Sequence, residues 1–145
     1  MPSLTLSQAS TIIDAALQKG RAIACAPLVV AVLDAGGHLV AYKREDKSGI
    51  MRFDIAFGKA WGALGMGFGS REIAARAAAN PVFISTLAVA SGGRFIPVPG
   101  GVLIRDAAGE VVGAVGVSGD TSDRDEECAL AGIKASGLKG DTGGK

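Results

Sequence analysis

Apolar positions near the start of the chain return at helical rather than alternating spacing. Ala9, Ile12, Ile13, Ala16 and Leu17 share one face, and Thr5 and Gln8 ahead of them have the spacing of a capping box. The pattern predicts a first helix ending near Gly20 or Ala24. Pro27 then introduces Leu28 to Leu33, an unbroken apolar run rich in β-branched residues, and Asp34-Ala35-Gly36-Gly37 is turn chemistry before His38 to Lys43. A β-hairpin is expected there. Helical spacing resumes at Ile50, Phe53, Phe57, Ala60, Trp61 and Leu64, which draw a broad apolar stripe. Gly58, Gly62 and Gly65 interrupt the same helix, each at a cost of about 1 kcal/mol relative to alanine. Something is therefore expected to approach its backbone closely, and a contact with a second subunit is the reading adopted.

Ser70 to Ala79 reads as a short helix capped by Ser70, with Glu72 in its first turn, and Asn80-Pro81 closes it. Val82 to Ala90 is apolar and either helical or irregular, and Ser91-Gly92-Gly93 with Pro97, Pro99 and Gly100 marks a shaped loop. Gly101 to Arg105 and Glu110 to Val117 form a second hairpin around Asp106-Ala107-Ala108-Gly109. A last helix, Asp123 to Leu138, has an acidic start that Ser122 or Asp123 can cap, and a frayed tail is expected from about residue 139. Helix, hairpin, helices, hairpin, helix is not a series of βαβ crossovers. The order predicts one domain of the α/β (α+β) class over residues 1–145, an antiparallel sheet flanked by helices.

Charge changes the picture by exclusion. Lys and Arg number 15 against 14 Asp and Glu, with no basic run of the kind that neutralises several phosphates, so nucleic acid is not an expected partner. The apolar run from Ala22 to Leu33 is interrupted by Pro27 and too short to cross a bilayer, and no basic-then-apolar leader precedes it; a cytoplasmic protein without membrane contact is expected. Cys25 and Cys128, the only cysteines, sit among apolar neighbours and read as buried thiols, with a disulfide or a reactive site as the alternative. With a single histidine, no spacing resembles a metal site built from protein ligands alone. The 22 glycines have no period and argue for tight turns and close packing.

Three stretches carry a family likeness: VAVLDAGGHLVAYKRED at Val30 to Asp46, AFGKAWGAL at Ala56 to Leu64, and GEVVGAVGVSGDTSDRDEECALAGIKA at Gly109 to Ala135, together with the loop GGRFIPVPGG. In these the chain resembles the GlcG/HbpS family of small haem-binding or haem-associated proteins, and also the C-terminal domain of PduO-type proteins. The resemblance implies a profilin-like layered fold, assembly into dimers or octamers, and non-covalent haem as cofactor. It does not imply one activity. Where the family pattern has arginine-methionine-aspartate-glycine-alanine, this chain has Arg44-Glu45-Asp46-Lys47-Ser48-Gly49.

Several residues carry candidate chemistry. His38, after the Gly36-Gly37 turn, is either an axial ligand to haem iron, a proton carrier, or a polar strand residue. Lys59, inside the apolar stripe, reaches either a carboxylate partner or an anionic ligand. Arg94, in the Pro/Gly-rich loop, is an anion clamp suited to a haem propionate or an organic acid. Ser118, Gly119 and Thr121 precede a helix N-terminus that can hold an anion, although Asp120 and Asp123 oppose phosphate. Asp34 and Asp106 read as turn-forming residues. No phosphate loop or serine elbow is present. The leading expectation is a non-enzymatic haem-binding or haem-responsive oligomer; the alternatives are an enzyme or accessory factor for a small organic acid, with His38, Lys59 or Asp34 moving a proton, and a structural module.

Overall fold

Thr5 begins the first helix through reciprocal bonds. Its hydroxyl accepts from the Gln8 backbone N–H while the Gln8 side chain accepts from the Thr5 N–H, each at 3.0 Å. The chain is described here from a computed structural model that covers residues 3–144. Helix α1 (Leu6–Ala22) buries Ala9, Ile12, Ile13 and Ala16, and the chain reverses at Ala24, whose φ is +56°. Strands β1 (Val29–Asp34) and β2 (Leu39–Arg44) form the expected hairpin. Helix α2 (Arg52–Met66) follows, then α3 (Ser70–Ala79) and α4 (Pro81–Ala90), then β3 (Gly101–Arg105), β4 (Val111–Ser118), α5 (Ser122–Ala135) and β5 (Lys139–Asp141).

The strands make one antiparallel sheet in the order β2-β1-β4-β3-β5. Val30, Val32, Val115 and Val117 turn to one side and bury against α1 and α5; Leu33, Leu103 and Ala114 turn to the other and meet Ala60 and Ala63 of α2. The expected architecture, an antiparallel sheet flanked by helices, is the one observed. At about 25 cal/mol per Å² of apolar area removed from water, these two interlayers hold most of the driving force for folding.

Alanine and glycine set how closely the layers meet. Gly101 and Gly116 are partners across β3 and β4. A Cβ on Gly116 would sit within 2 Å of the Ala56 carbonyl oxygen of α2, at 1.8 Å, and one on Gly101 would lie 2.2 Å from the Lys59 carbonyl oxygen. The helix backbone therefore lies directly on a two-glycine floor. The residues of α2 that face the sheet are small, Ala56, Ala60 and Ala63, while Phe53, Phe57, Trp61 and Leu64 are only half-buried along its flank and Ile50 precedes the helix, exposed. Of the stripe read from the sequence, Ala60 lies at the centre of the buried face and the large residues mark its rim. Two of the three helix glycines are covered by the chain's own loop: a Cβ on Gly58 would strike Ile96, and one on Gly62 would strike Phe95, while Gly65 is exposed.

Three further details differ from the sequence reading. Ser70 is the first residue of α3 rather than its cap, and its hydroxyl bridges to the Gly101 backbone, accepting from N–H at 2.7 Å and donating to C=O at 3.2 Å. Thr121, not Ser122 or Asp123, caps α5 through the Arg124 N–H. The tail expected to fray from about residue 139 instead adds β5 to the edge of β3, held by an Arg105–Asp141 ion pair at 2.9 Å and by Gly140 lying over Leu130, Ile133 and Val102. Polar tail composition concealed a strand whose order comes from its partners. Val82 to Ala90 is helical, started by Asn80 and by Pro81 at its first position.

Candidate functional site

The residues singled out in the sequence fall into two separate groups. Lys59 lies on the sheet-facing side of α2 at the point where β4 ends, and its side chain runs past Gly100 to the far layer. Its ammonium donates to the Val117 carbonyl at 2.9 Å and to Asp125 Oδ2 at 3.0 Å, with both side chains almost fully enclosed. Burial lowers the Lys59 pKa and raises that of Asp125, outweighing on each side the attraction of the other. Lys59 therefore faces the interior, where a carboxylate of α5 occupies it; of its two expected roles, this is the carboxylate partner.

Ser118, Gly119 and Thr121 border the same interior group. The buried Ser118 hydroxyl accepts from Arg52 at 3.3 Å, and Gly119 packs on the Pro27 carbonyl. Three of the N–H groups there have acceptors of this chain: Asp120 N–H donates to Asp125 Oδ1 at 3.0 Å, Thr121 N–H to Asp120 Oδ1 at 2.8 Å, and Arg124 N–H to the Thr121 hydroxyl. Hydrogen bonds from the Ala26 and Thr121 backbones hold the Asp120 carboxyl below its ordinary range. The start of α5 is thus partly occupied by the chain's own Asp120, Asp125 and Thr121 side chains.

Gly37, next to His38 in the chain, and Arg94 both contact Trp61. The β1–β2 turn is shaped by Asp34, whose Oδ1 accepts from the N–H groups of Gly36 at 2.9 Å and His38 at 3.0 Å. Slight burial works against the Asp34 anion, but those backbone bonds prevail and lower its pKa. Gly37, at φ +83°, brings the turn against α2, where a Cβ would lie 3.2 Å from Trp61 Nε1. His38 follows directly; its side chain is 82 % exposed and its Nδ1 lies 3.3 Å from Asp34 Oδ1. With Nδ1 beside that carboxylate, Nε2 is the ring nitrogen left to meet a ligand.

The Arg94 guanidinium stacks over the Trp61 indole at 4.2 Å from the ring centroid. Its Nε donates to the Ser91 carbonyl at 2.7 Å, while its two Nη groups have no hydrogen-bond partner among the described residues. A cleft of about 230 Å³ opens beside them, lined by Trp61, Gly65, Met66, Leu87, Ala90 and Phe95 together with Ser91. This surface offers an aromatic plate, an apolar cleft, a fixed guanidinium with free donors, and an imidazole. The sequence flagged His38 and Arg94 but took Trp61 for packing alone. The signal that joins them is the glycine at 37, small enough to seat the turn on the indole. Among the described residues no cluster of His, Cys, Asp and Glu is arranged to hold a bare metal ion.

The model of the family described as "Haem degrading protein HbpS-like" matches residues 4–134. A solved PduOC:heme complex superposes with a TM-score of 0.85 at 22% identity, covering 94% of this chain and 97% of that one. Protein ORFY of Klebsiella pneumoniae gives 0.83 at 29% identity, covering 94% and 92%. A double mutant of HbpS from Streptomyces reticuli gives 0.78 at 28% identity, covering 92% and 87%. No curated protein matches the sequence at a significant level.

Proposed function

This chain belongs to the HbpS-like family, and from that premise we propose that it is a non-enzymatic protein that binds haem non-covalently on the surface around Trp61. The observation that carries the reading is the Arg94 guanidinium, stacked on Trp61 with its Nη donors unpaired among the described residues. The donor chemistry fits the group. The indole and the neighbouring cleft would suit the apolar macrocycle, Arg94 would suit a propionate, and His38, oriented by Asp34, would offer Nε2 to the iron. Bound haem would supply an iron centre able to take a nitrogen ligand; the protein's part would be to fix that nitrogen, pair the propionate charge and cover the ring face. In support of haem as the ligand, a structural neighbour was solved as a haem complex and the family's description names haem.

Titration of purified protein with haemin is expected to give a saturable change in the haem absorption band and to quench Trp61, the sole tryptophan. His38→Ala should shift the absorption maximum of the complex, and Arg94→Ala should weaken binding about tenfold, the usual scale of one charge-assisted hydrogen bond. Quenching by small organic acids with no haem response would instead favour the organic-acid reading. Absence of both responses removes the site.

Self-association is proposed through α4 rather than α2. Over ten residues α4 carries no charged side chain, yet only Ile84 is buried, while Val82, Phe83 and Val89 are exposed. Such a face offers nothing to a charged partner and complements a copy of itself. Val82→Glu/Val89→Glu should yield a smaller particle by light scattering with unchanged circular dichroism. An unchanged mass overturns the assignment to α4.

A further inference from the structure

The two cysteines, 103 positions apart, are brought together in the interior. The turn after α1 carries Cys25, whose N–H donates to the Gly20 carbonyl at 2.9 Å. α5 carries Cys128, whose Sγ lies 3.7 Å from the position a Cβ on Gly20 would take. Both thiols thus converge on Gly20, and both are buried in the same apolar cluster. Two polar ties fix the turn against α5 and the loop before it: Arg124 donates to the Ile23 carbonyl at 2.7 Å, and Ala26 N–H donates to Asp120 Oδ2 at 2.8 Å. The segment holding Cys25 is therefore held on both sides against the start of the helix that holds Cys128.

The two thiols differ in access. Cys128 is fully enclosed, whereas Cys25 retains 4% exposure. The Cys25 and Ala26 carbonyls accept from Arg21, at 2.7 and 3.0 Å, and Arg21 with Pro27 lines an open cleft of about 390 Å³. A small oxidant meets Cys25 first.

We infer that Cys25 and Cys128 are a disulfide-forming pair, in which a hydroperoxide oxidises Cys25 and Cys128 resolves it. In the first step the Cys25 sulfur attacks one peroxide oxygen, the O–O bond breaks, and sulfenic acid and one water form. In the second the Cys128 sulfur attacks the Cys25 sulfur, the S–O bond breaks, and a second water leaves with the thiol proton. Two thiols are oxidised, and one hydrogen peroxide is reduced to two waters. Burial raises the pKa of Cys25 and pushes that of Cys128 to about 12; Asp120, Arg124 and Asp125 face Cys25, and Asp125 and Glu127 face Cys128. Both sulfurs are thus protonated at neutral pH and the reaction is slow, its rate rising about tenfold from pH 7 to pH 8 as the thiolate fraction rises.

The test treats the whole protein with excess hydrogen peroxide, quenches in acid, unfolds it and alkylates free thiols. The expected product is one chain lighter by two hydrogens, unalkylated, with a peptide linking Cys25 to Cys128, restored by dithiothreitol. Closing a loop of about 100 residues should raise the melting temperature by about 10 °C. Cys128→Ser should instead accumulate sulfenic acid at Cys25, captured by dimedone, and Cys25→Ser should stay reduced under the same exposure. Both thiols still open to alkylation, a linkage only between chains, or oxidation of the unaltered protein to sulfinic acid without a disulfide would each overturn the inference. The mass measurement on the unaltered chain decides the matter even where a variant does not fold.

Discussion

Gly116→Ala is expected to cost about 3 kcal/mol of stability or more, the upper end of overpacking in a well-filled core, although it adds one methyl group to a strand. A Cβ there would lie 1.8 Å from the Ala56 carbonyl oxygen and 3.2 Å from the Ala60 Cβ. The obstacle is helix backbone rather than the end of a flexible side chain, so α2 as a whole has to lift from the sheet. Lifting it also disturbs Gly101, the cross-strand partner, on which the Lys59 carbonyl rests. Gly49→Ala is the matched control, since a Cβ there meets nothing within 4 Å, and its effect should stay within about 0.5 kcal/mol. Urea unfolding of the three proteins measures both. A Gly116 variant as stable as the control would show that α2 does not lie on the glycine floor.

That floor separates what was legible in the sequence from what was not. Periodicity located α1 and both hairpins because apolar faces repeat over many residues, and the Asp34 and Asp106 turns followed from their own local chemistry. It also indicated that the glycines of α2 admit a close neighbour. It did not say which neighbour, because Gly58 and Gly62 are met by Arg94, Phe95 and Ile96, more than thirty positions away, and that contact depends on how the intervening helices fold back. The same limit governed the site. His38 and Arg94 stood out by residue type, but only the seating of Gly37 on Trp61 places them on one surface. A buried lysine was visible as a demand for a carboxylate. Which of the acidic residues opening α5 would meet it was a tertiary matter, and Lys59 reaches Asp125 because the glycine floor lets α2 lie close to the end of β4.

Asp125→Ala is expected to destabilise the fold by about 3–5 kcal/mol, the range for removing one partner of a buried ion pair. It leaves the Lys59 ammonium, 2% exposed, with only the Val117 carbonyl, and frees the Asp120 N–H that Asp125 Oδ1 had accepted. Lys59→Met should cost less, because Asp125 keeps the Asp120 N–H and can be protonated. Burial already raises the Asp125 pKa, and loss of the lysine raises it further. A carboxyl whose folded pKa exceeds its unfolded value contributes most below the unfolded pKa, and that contribution is lost as pH rises through the folded pKa. The Lys59→Met deficit relative to the unaltered protein should therefore shrink as pH falls toward the ordinary carboxylate range and be largest above it. Lys59→Met/Asp125→Leu, which removes both charges, should be more stable than Asp125→Ala alone. Denaturant midpoints of the four proteins at pH 7 and pH 5 test this. A Lys59→Met deficit equal at both pH values would mean that Asp125 takes up no proton in the folded variant, and a double variant no better than Asp125→Ala would mean that shape, not charge, holds α2 and α5 together here.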